Sequence, residues 1–311
     1  MLNNWRVVLT RIGMRLHGAS VWRGKKTPLR QIRALQVQGA NGLLPARLYT
    51  PETQRPAPLL VFFHGGGFCA GSLDTHDPIC RDLCVQAGVT VLSVGYRLAP
   101  KHPFPAAPND AYAATCWAAQ SADSLGARPG PLFLAGDSAG GCLATVTALR
   151  VRDEGGPELA GQILIFPKVD MVGPITESHR QYVSSSLISE SFIAMFEGAY
   201  CPNRNDASLP QASPMQTKSL AGLPPALVQT AEFDPLRDEG EAYARRLREE
   251  GVEATLTRYK GVDHAFVGFT GPSQEHRQAI AEIAAWIKSK RPNPAVSPDT
   301  SAIAPPPLTP V

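Results

Sequence analysis

The chain has 311 residues, 43% of them hydrophobic and 18% charged, with 29 prolines and 27 glycines. That is material for one large α/β domain or two small ones, rich in turns and with ample apolar content for a soluble, globular core. The formal charge of +3 is uneven: residues 1–51 hold nine Arg or Lys and no Asp or Glu, while the remainder holds 21 basic and 27 acidic residues, a net of −6.

These features exclude some classes. Nothing in the chain resembles a nucleic-acid-binding module, and no apolar run approaches the ~20 residues of a membrane-spanning helix. Arg6, Arg11 and Arg15 interrupt every apolar run before a secretory leader could form, although an Arg-rich, acid-poor start also fits a transit peptide loosely. The six cysteines show no disulfide framework and no zinc spacing. Cys80 and Cys84, one helical turn apart, have no second ligand pair nearby. Buried, reduced thiols and a cytoplasmic compartment are therefore expected.

Residues 4–22 read as a basic amphipathic helix, with Trp5, Val8, Leu9, Ile12 and Leu16 at helical spacing. As part of a cap this helix would line the substrate pocket, which is the preferred reading; as a peripheral anchor it would bind anionic lipid. Residues 31–38 and 43–50 read as a hairpin joined through Asn41-Gly42. Leu59 to Phe63 is a short apolar run of the kind a fully buried strand shows. Helices and strands then alternate. A helix carrying Ile79, Leu83, Cys84 and Ala87 is ended by Gly88. A strand covers 89–94, a helix 109–120, a strand 132–135, and a helix carries Leu143, Val146 and Leu149. Strands follow at 163–166 and 226–230, then a helix through Tyr243 and Leu247 that Gly251 terminates. The last strand is 254–259, and the last helix, bearing Ile280, Ile283 and Ile287, is stopped by Pro292. This rhythm predicts an α/β fold with a mostly parallel sheet covered by helices on both faces.

Residues 168–222 break the rhythm, with a helical piece near 187–200 and no strand, and are a candidate lid. Residues 291–311 hold seven prolines and read as a disordered tail. The expected organisation is cap helices in 1–30, a catalytic domain over 31–290 with its cap insertion at about 168–222, and the tail.

Two glycine motifs carry the chemistry. Gly136-Asp137-Ser138-Ala139-Gly140 lies between the strand ending at Ala135 and a helix, where a G-x-S-x-G run presents a nucleophilic serine on a tight turn. Alternatively it is a plain glycine turn with Ser138 as a helix cap. His64-Gly65-Gly66-Gly67 follows the strand 59–63. His followed by three Gly arises by chance in on the order of one in two hundred chains of this composition, so the two motifs are read as one acyl-transfer site. The backbone N–H groups of Gly66, Gly67 and Ala139 are the candidate oxyanion donors, with His64 and Gly65 supporting the loop.

A serine needs a base. In this chain order the acid and then the His follow the serine, leaving His179, His264 and His276. His179 falls in the insertion and His276 on the exposed start of the last helix. His264 follows strand 254–259 at the carboxyl edge of the sheet and is preferred. Asp234, just past strand 226–230, is the preferred acid and Glu232 the runner-up. Asp238 suits a helix N-cap, and Asp263 adjoins His264, where neighbouring side chains rarely meet.

On these residues the chain resembles the hormone-sensitive-lipase family of α/β-hydrolases, which includes many bacterial carboxylesterases. The matching runs are HGGGF at 64–68, YRLAP at 96–100, HPFPAA at 102–107, GDSAGG at 136–141 and DPLRDEGEAYARRL at 234–247. The resemblance implies an α/β-hydrolase fold with a helical cap, Ser138 as nucleophile, His264 as base, Asp234 as its acid partner, and an oxyanion loop at 64–67. It departs at Lys101, where relatives often have Glu, and at Ala265, where they often have Gly. Asp263, before the histidine, is an acidic residue expected to shift the imidazole pKa upward. The activity implied is hydrolysis of short- to medium-chain acyl esters, with no metal or cofactor and a small-molecule ester as partner. It leaves a homodimer open. A receptor without turnover, or an amidase or peptidase on the same fold, are the competing readings.

Overall fold

The computed structural model describes residues 4–29, 31–53 and 56–290. In chain order the elements are α1 (Asn4–Val21), β1 (Gln31–Gly39), β2 (Gly42–Thr50), β3 (Leu59–Phe63), α2 (Asp77–Ala87), β4 (Thr90–Val94), α3 (Ala106–Gln120), β5 (Leu132–Asp137) and α4 (Ala139–Glu154). They continue with β6 (Leu159–Ile165), α5 (Glu177–Tyr182), α6 (Glu190–Tyr200), β7 (Ala226–Ala231), α7 (Arg237–Glu249), β8 (Ala254–Tyr259) and α8 (Gln274–Ser289). The strands form one sheet in the order β1-β2-β4-β3-β5-β6-β7-β8. The β1–β2 hairpin and the β2–β4 pair are antiparallel and every other neighbour is parallel. The mostly parallel sheet is the one the sequence pattern predicts, and the architecture is the α/β-hydrolase fold that the resemblance implies.

The period of two in β3 explains how the sheet is covered. Leu59, Val61 and Phe63 point into the core beneath α3 and α4, while Leu60 and Phe62 point into a second core beneath α2 and α8. All five are buried, as a central parallel strand requires. The hairpin ladder runs through Gly39 opposite Gly42, so Ala40 and Asn41 form its tip. Several elements are longer than the apolar runs suggest: β5 continues to Asp137, β6 starts at Leu159 and α3 starts at Ala106. In each case polar or small residues extend the element because the neighbouring strand or turn supplies the backbone partners.

One expectation is corrected at α1. Its apolar marker residues do not face the body of the protein. Trp5, Val8, Leu9, Ile12 and Leu16 are exposed, and Val7, Met14 and the guanidinium of Arg11 face inward. The inward side must roof a cavity and hydrogen-bond to a loop, work for a small or polar face. The large residues are left on the solvent side.

Residues 168–222 contain α5, α6 and two short 3₁₀ turns at Arg204–Ser208 and Pro214–Gln216, and no strand. Thr176 and Ser189 cap α5 and α6 with their hydroxyls. The tail expected over 291–311 lies outside the described residues.

Candidate active site

The parallel strands β3, β5, β7 and β8 all end at the same edge of the sheet, with Phe63 beside Gly136 and Ala231 beside Tyr259. Ligand sites of open α/β sheets form at that edge. The loops leaving those four strands bring His64–Gly67, Ser138, Asp234 and His264 together.

Ser138 occupies the turn between β5 and α4 with φ 53° and ψ −118°. A non-glycine residue there costs about 1–3 kcal/mol, so the surroundings must impose it. They do so through three backbone bonds. The Ser138 amide donates to Ile165 O (2.8 Å), and its carbonyl accepts from Cys142 N (3.1 Å) and Lys168 N (3.2 Å). The flanking glycines are sterically required. A Cβ on Gly136 would strike the Gly140 carbonyl, and one on Gly140 would strike the carbonyl of Phe63 at the end of β3.

His264 Nε2 lies 3.0 Å from Ser138 Oγ, and His264 Nδ1 lies 2.7 Å from Asp234 Oδ2. Asp234 is fully buried, and its other oxygen accepts from Leu236 N at 2.8 Å. Both imidazole nitrogens are thus committed, with Nδ1–H directed at the carboxylate and Nε2 facing the hydroxyl. Burial works against a charged His264. The carboxylates of Asp234, Asp263 and Asp137 outweigh it and raise its pKa above the ordinary imidazole value. Phe166 packs edge-on against the ring at 4.8 Å.

The other acids and histidines weighed from the sequence are placed elsewhere. Glu232 accepts from Gly261 N at 2.7 Å and Asp238 from Ser178 N at 2.7 Å. Asp238 is not the N-cap of α7, which is Leu236 without a side-chain cap; its carboxylate is taken by the start of α5 instead. His179 sits in α5. His276 is buried rather than exposed, because it bonds Asp82 Oδ2 at 2.8 Å and accepts from Gly268 N at 3.1 Å. Asp263 turns back on its neighbour's backbone, accepting from His264 N (2.6 Å), Ser186 Oγ (2.6 Å) and Leu187 N (2.8 Å).

The glycine loop is held by groups that sequence reasoning missed. Asp137, the residue before the serine, accepts from Gly65 N at 2.9 Å and pairs with His76 Nε2 at 3.1 Å. A Cβ on Gly65 would collide with that carboxylate. Although burial opposes it, the neighbouring His76 and the Gly65 amide hold the Asp137 pKa below the usual range. His64 donates from Nδ1 to Gly65 O (2.9 Å), stacks on Tyr96, and accepts Tyr96 Oη at its own carbonyl (2.7 Å). Burial, with His76 nearby, pulls the His64 pKa down to about 4, so its ring is neutral and serves as a brace. Gly66 (φ 115°) and Gly67 (φ 58°) both lie in the left-handed region that favours glycine. Asp137 could have been found from its place at the end of β5 beside the end of β3; no motif marks His76.

Two cavities meet at Ser138. The larger, about 320 Å³, extends under α1 and is bounded by Met14, Leu187, Phe192, Val267 and Phe269. The smaller, about 60 Å³, is bounded by Phe68, Met171, Ile193 and Phe196, with Lys168 at its side. α1 is fastened over the larger one. Arg11 donates to Cys69 O (2.6 Å) and Ala99 O (2.7 Å), Trp22 Nε1 donates to Gly268 O, and His17 stacks on Phe269. Among the described residues no group of three or more His, Cys, Asp or Glu is placed to hold a metal ion, and no helix is long and apolar enough to cross a membrane.

Residues 60–268 match the family model described as the alpha/beta hydrolase fold. The chain is 44% identical over 239 residues to the carboxylic ester hydrolase LipN of Mycobacterium tuberculosis, covering 75% of this chain and 63% of LipN. It is 40% identical over 242 residues to the esterase LipI of the same organism, covering 76% and 75%. Among solved structures, the hyperthermophilic esterase of the archaeon Pyrobaculum calidifontis superposes with a TM-score of 0.88 at 43% identity, covering 91% of this chain and 93% of that one. Fold, matched region and relatives agree, and the chain belongs to the hormone-sensitive-lipase-like family of α/β-hydrolases.

Proposed function

We propose that this chain is a carboxylic ester hydrolase that acts on short- to medium-chain acyl esters through an acyl-enzyme. The observation that carries the reading is the unbroken line of hydrogen bonds from Ser138 Oγ through His264 to Asp234, at 3.0 and 2.7 Å, at the junction of two apolar cavities. Ser138 Oγ attacks the ester carbonyl as His264 Nε2 takes its proton. Asp234 keeps the proton on Nδ1 and stabilises the imidazolium. The developing oxyanion is received by the N–H groups of Gly66, Gly67 and Ala139, each such donor contributing about 3 kcal/mol to the transition state. His264 then protonates the departing alcohol and activates the water that releases the acid.

The ester straddles Ser138 with one arm in each cavity, and the small volume of one of them favours short groups on that side. In this reading α1 and residues 168–222 are the cap of a catalytic body over 31–290. The names of LipN and LipI support the activity. The six free cysteines suit a reducing compartment, and the cytoplasm is the proposed location.

The test is a p-nitrophenyl ester series from acetate to decanoate, with fluorophosphonate labelling of the serine. Activity is expected to peak at short to medium chains. Ser138→Ala is expected to lose about 10⁴-fold or more in kcat together with the label. A folded Ser138→Ala protein that still hydrolyses the esters would overturn the proposal.

A further inference from the structure

The outward face of α1 has no partner. Trp5, Val8, Leu9, Ile12 and Leu16 each have between 48% and 68% of their surface exposed, and their spacing puts them on one side of the helix. Val7, Thr10, Arg11, Met14 and Gly18 lie on the opposite side, three of them lining the large cavity. The bonds of Arg11, His17 and Trp22 fix this orientation, so the helix cannot roll to bury the apolar stripe without releasing the roof of the cavity. Five large apolar groups in a row are far more than scattered surface hydrophobics.

The charges around the stripe identify what covers it. By helical spacing Arg6 flanks it on one side and Arg15 on the other, and both are exposed. Arg23 and Lys25 follow in the exposed turn after the helix, Lys26 being paired with Asp77 at 2.8 Å, and no acidic residue occurs before Glu52. An apolar stripe between basic flanks, on a helix lying flat on the protein surface, has the chemistry of an interfacial helix. A second copy of this chain would set each arginine flank against another, whereas an anionic bilayer neutralises both. We propose that α1 is a two-sided helix: its inner face roofs the cavity, and its outer face docks the protein on an anionic phospholipid surface. Docking in this pose leaves one helix between the bilayer surface and the cavity beneath it. The inference concerns docking and does not depend on which reaction the site performs.

The experiment is flotation of the full-length protein with vesicles of phosphatidylcholine alone and with 30 mol% phosphatidylglycerol. The expected result is partition onto the anionic vesicles, weakened by salt, with a blue shift of Trp emission that Trp5→Phe removes. Leu9→Gln/Ile12→Gln/Leu16→Gln is expected to lower partition by more than about tenfold. Arg6→Gln/Arg15→Gln is expected to lower it about fivefold per arginine. Both variants are expected to keep wild-type melting behaviour and hydrolysis of a water-soluble ester, because none of these residues lines either cavity at Ser138. Three results would overturn the proposal: no partition onto anionic vesicles, equal partition of both variants, or a solution dimer that the triple variant dissociates in place of vesicle binding.

Discussion

Gly140→Ala sets two physical effects against each other. Gly140 lies in the first turn of α4 and its φ is not in the left-handed region, so alanine fits the backbone there. On helix propensity alone the change would stabilise the protein by up to about 1 kcal/mol. The packing argues the reverse. The new Cβ would lie 2.6 Å from the carbonyl carbon of Phe63 and 2.9 Å from that of His64, and closer still to the Phe63 oxygen. To recover ordinary van der Waals contact at 3.4 Å from the Phe63 oxygen, the nearest atom, α4 and the end of β3 must separate by about 1.5 Å. Neither partner is a flexible side chain. Overpacking of this kind costs about 1–3 kcal/mol, so it outweighs the propensity gain. The backbone that moves begins the glycine loop, and a misplacement near 1 Å at a reacting centre costs on the order of 10²-fold in rate. The expected outcome is a loss of about 100-fold in kcat on p-nitrophenyl butyrate with a Tm lower by about 2–8 °C. Gly141→Ala is the control, because its Cβ presses on Pro167 at 2.9 Å and meets the Gly136 carbonyl at 3.2 Å but leaves β3 alone. A Gly140→Ala enzyme with wild-type kcat, or one no slower than Gly141→Ala, would refute the claim that serine turn and glycine loop are registered by this contact.

Three further outcomes are expected. In the proposed mechanism His264 must be neutral to accept the serine proton, and its raised pKa is expected to make kcat/KM fall as pH drops through a value above 6.5. Asp263 contributes to that rise, so Asp263→Asn moves the acid limb of the pH profile to lower pH; an unchanged limb or an upward move contradicts this. His64 takes a proton near 6.5 in the unfolded chain but only at about 4 in the folded one. Stability is therefore level above pH 6.5 and declines between 6.5 and 4 by about 3 kcal/mol from this group, measurable by urea unfolding across that window. Ala265 sits at φ 63°, where an alanine is strained by about 1–2 kcal/mol. Ala265→Gly relieves it at a chain-entropy cost of about 0.5–1 kcal/mol, so Tm is expected to hold or rise by a degree or two, and a clear fall argues against strain there.

The fold was legible where buried strands read as unbroken apolar runs, as in β3, and where glycine punctuated helices, as at Gly88. The residues at the strand ends were legible because chemistry and chain order constrain them together: one serine motif, and a histidine and an aspartate that follow it at the right edge. The supporting shell was less visible. His76 reaches Asp137 across 61 positions, and His276 reaches Asp82 across 194, and nothing local in the chain announces such pairs. The outward turn of α1 was illegible for a different reason. Periodicity reports that a helix has an apolar side, but not which neighbour, if any, that side meets.

The carboxylate of Asp263 fastens two parts of the molecule at once, the amide of His264 and the Ser186–Leu187 segment that continues into the cavity wall. Cavity shape and imidazole position are thereby mechanically linked. A bound chain that forces this wall outward tugs on the loop that aims the imidazole. In the proposed mechanism, discrimination among substrates would then fall on turnover as well as on affinity, and an ill-fitting molecule would be processed slowly even after it had bound.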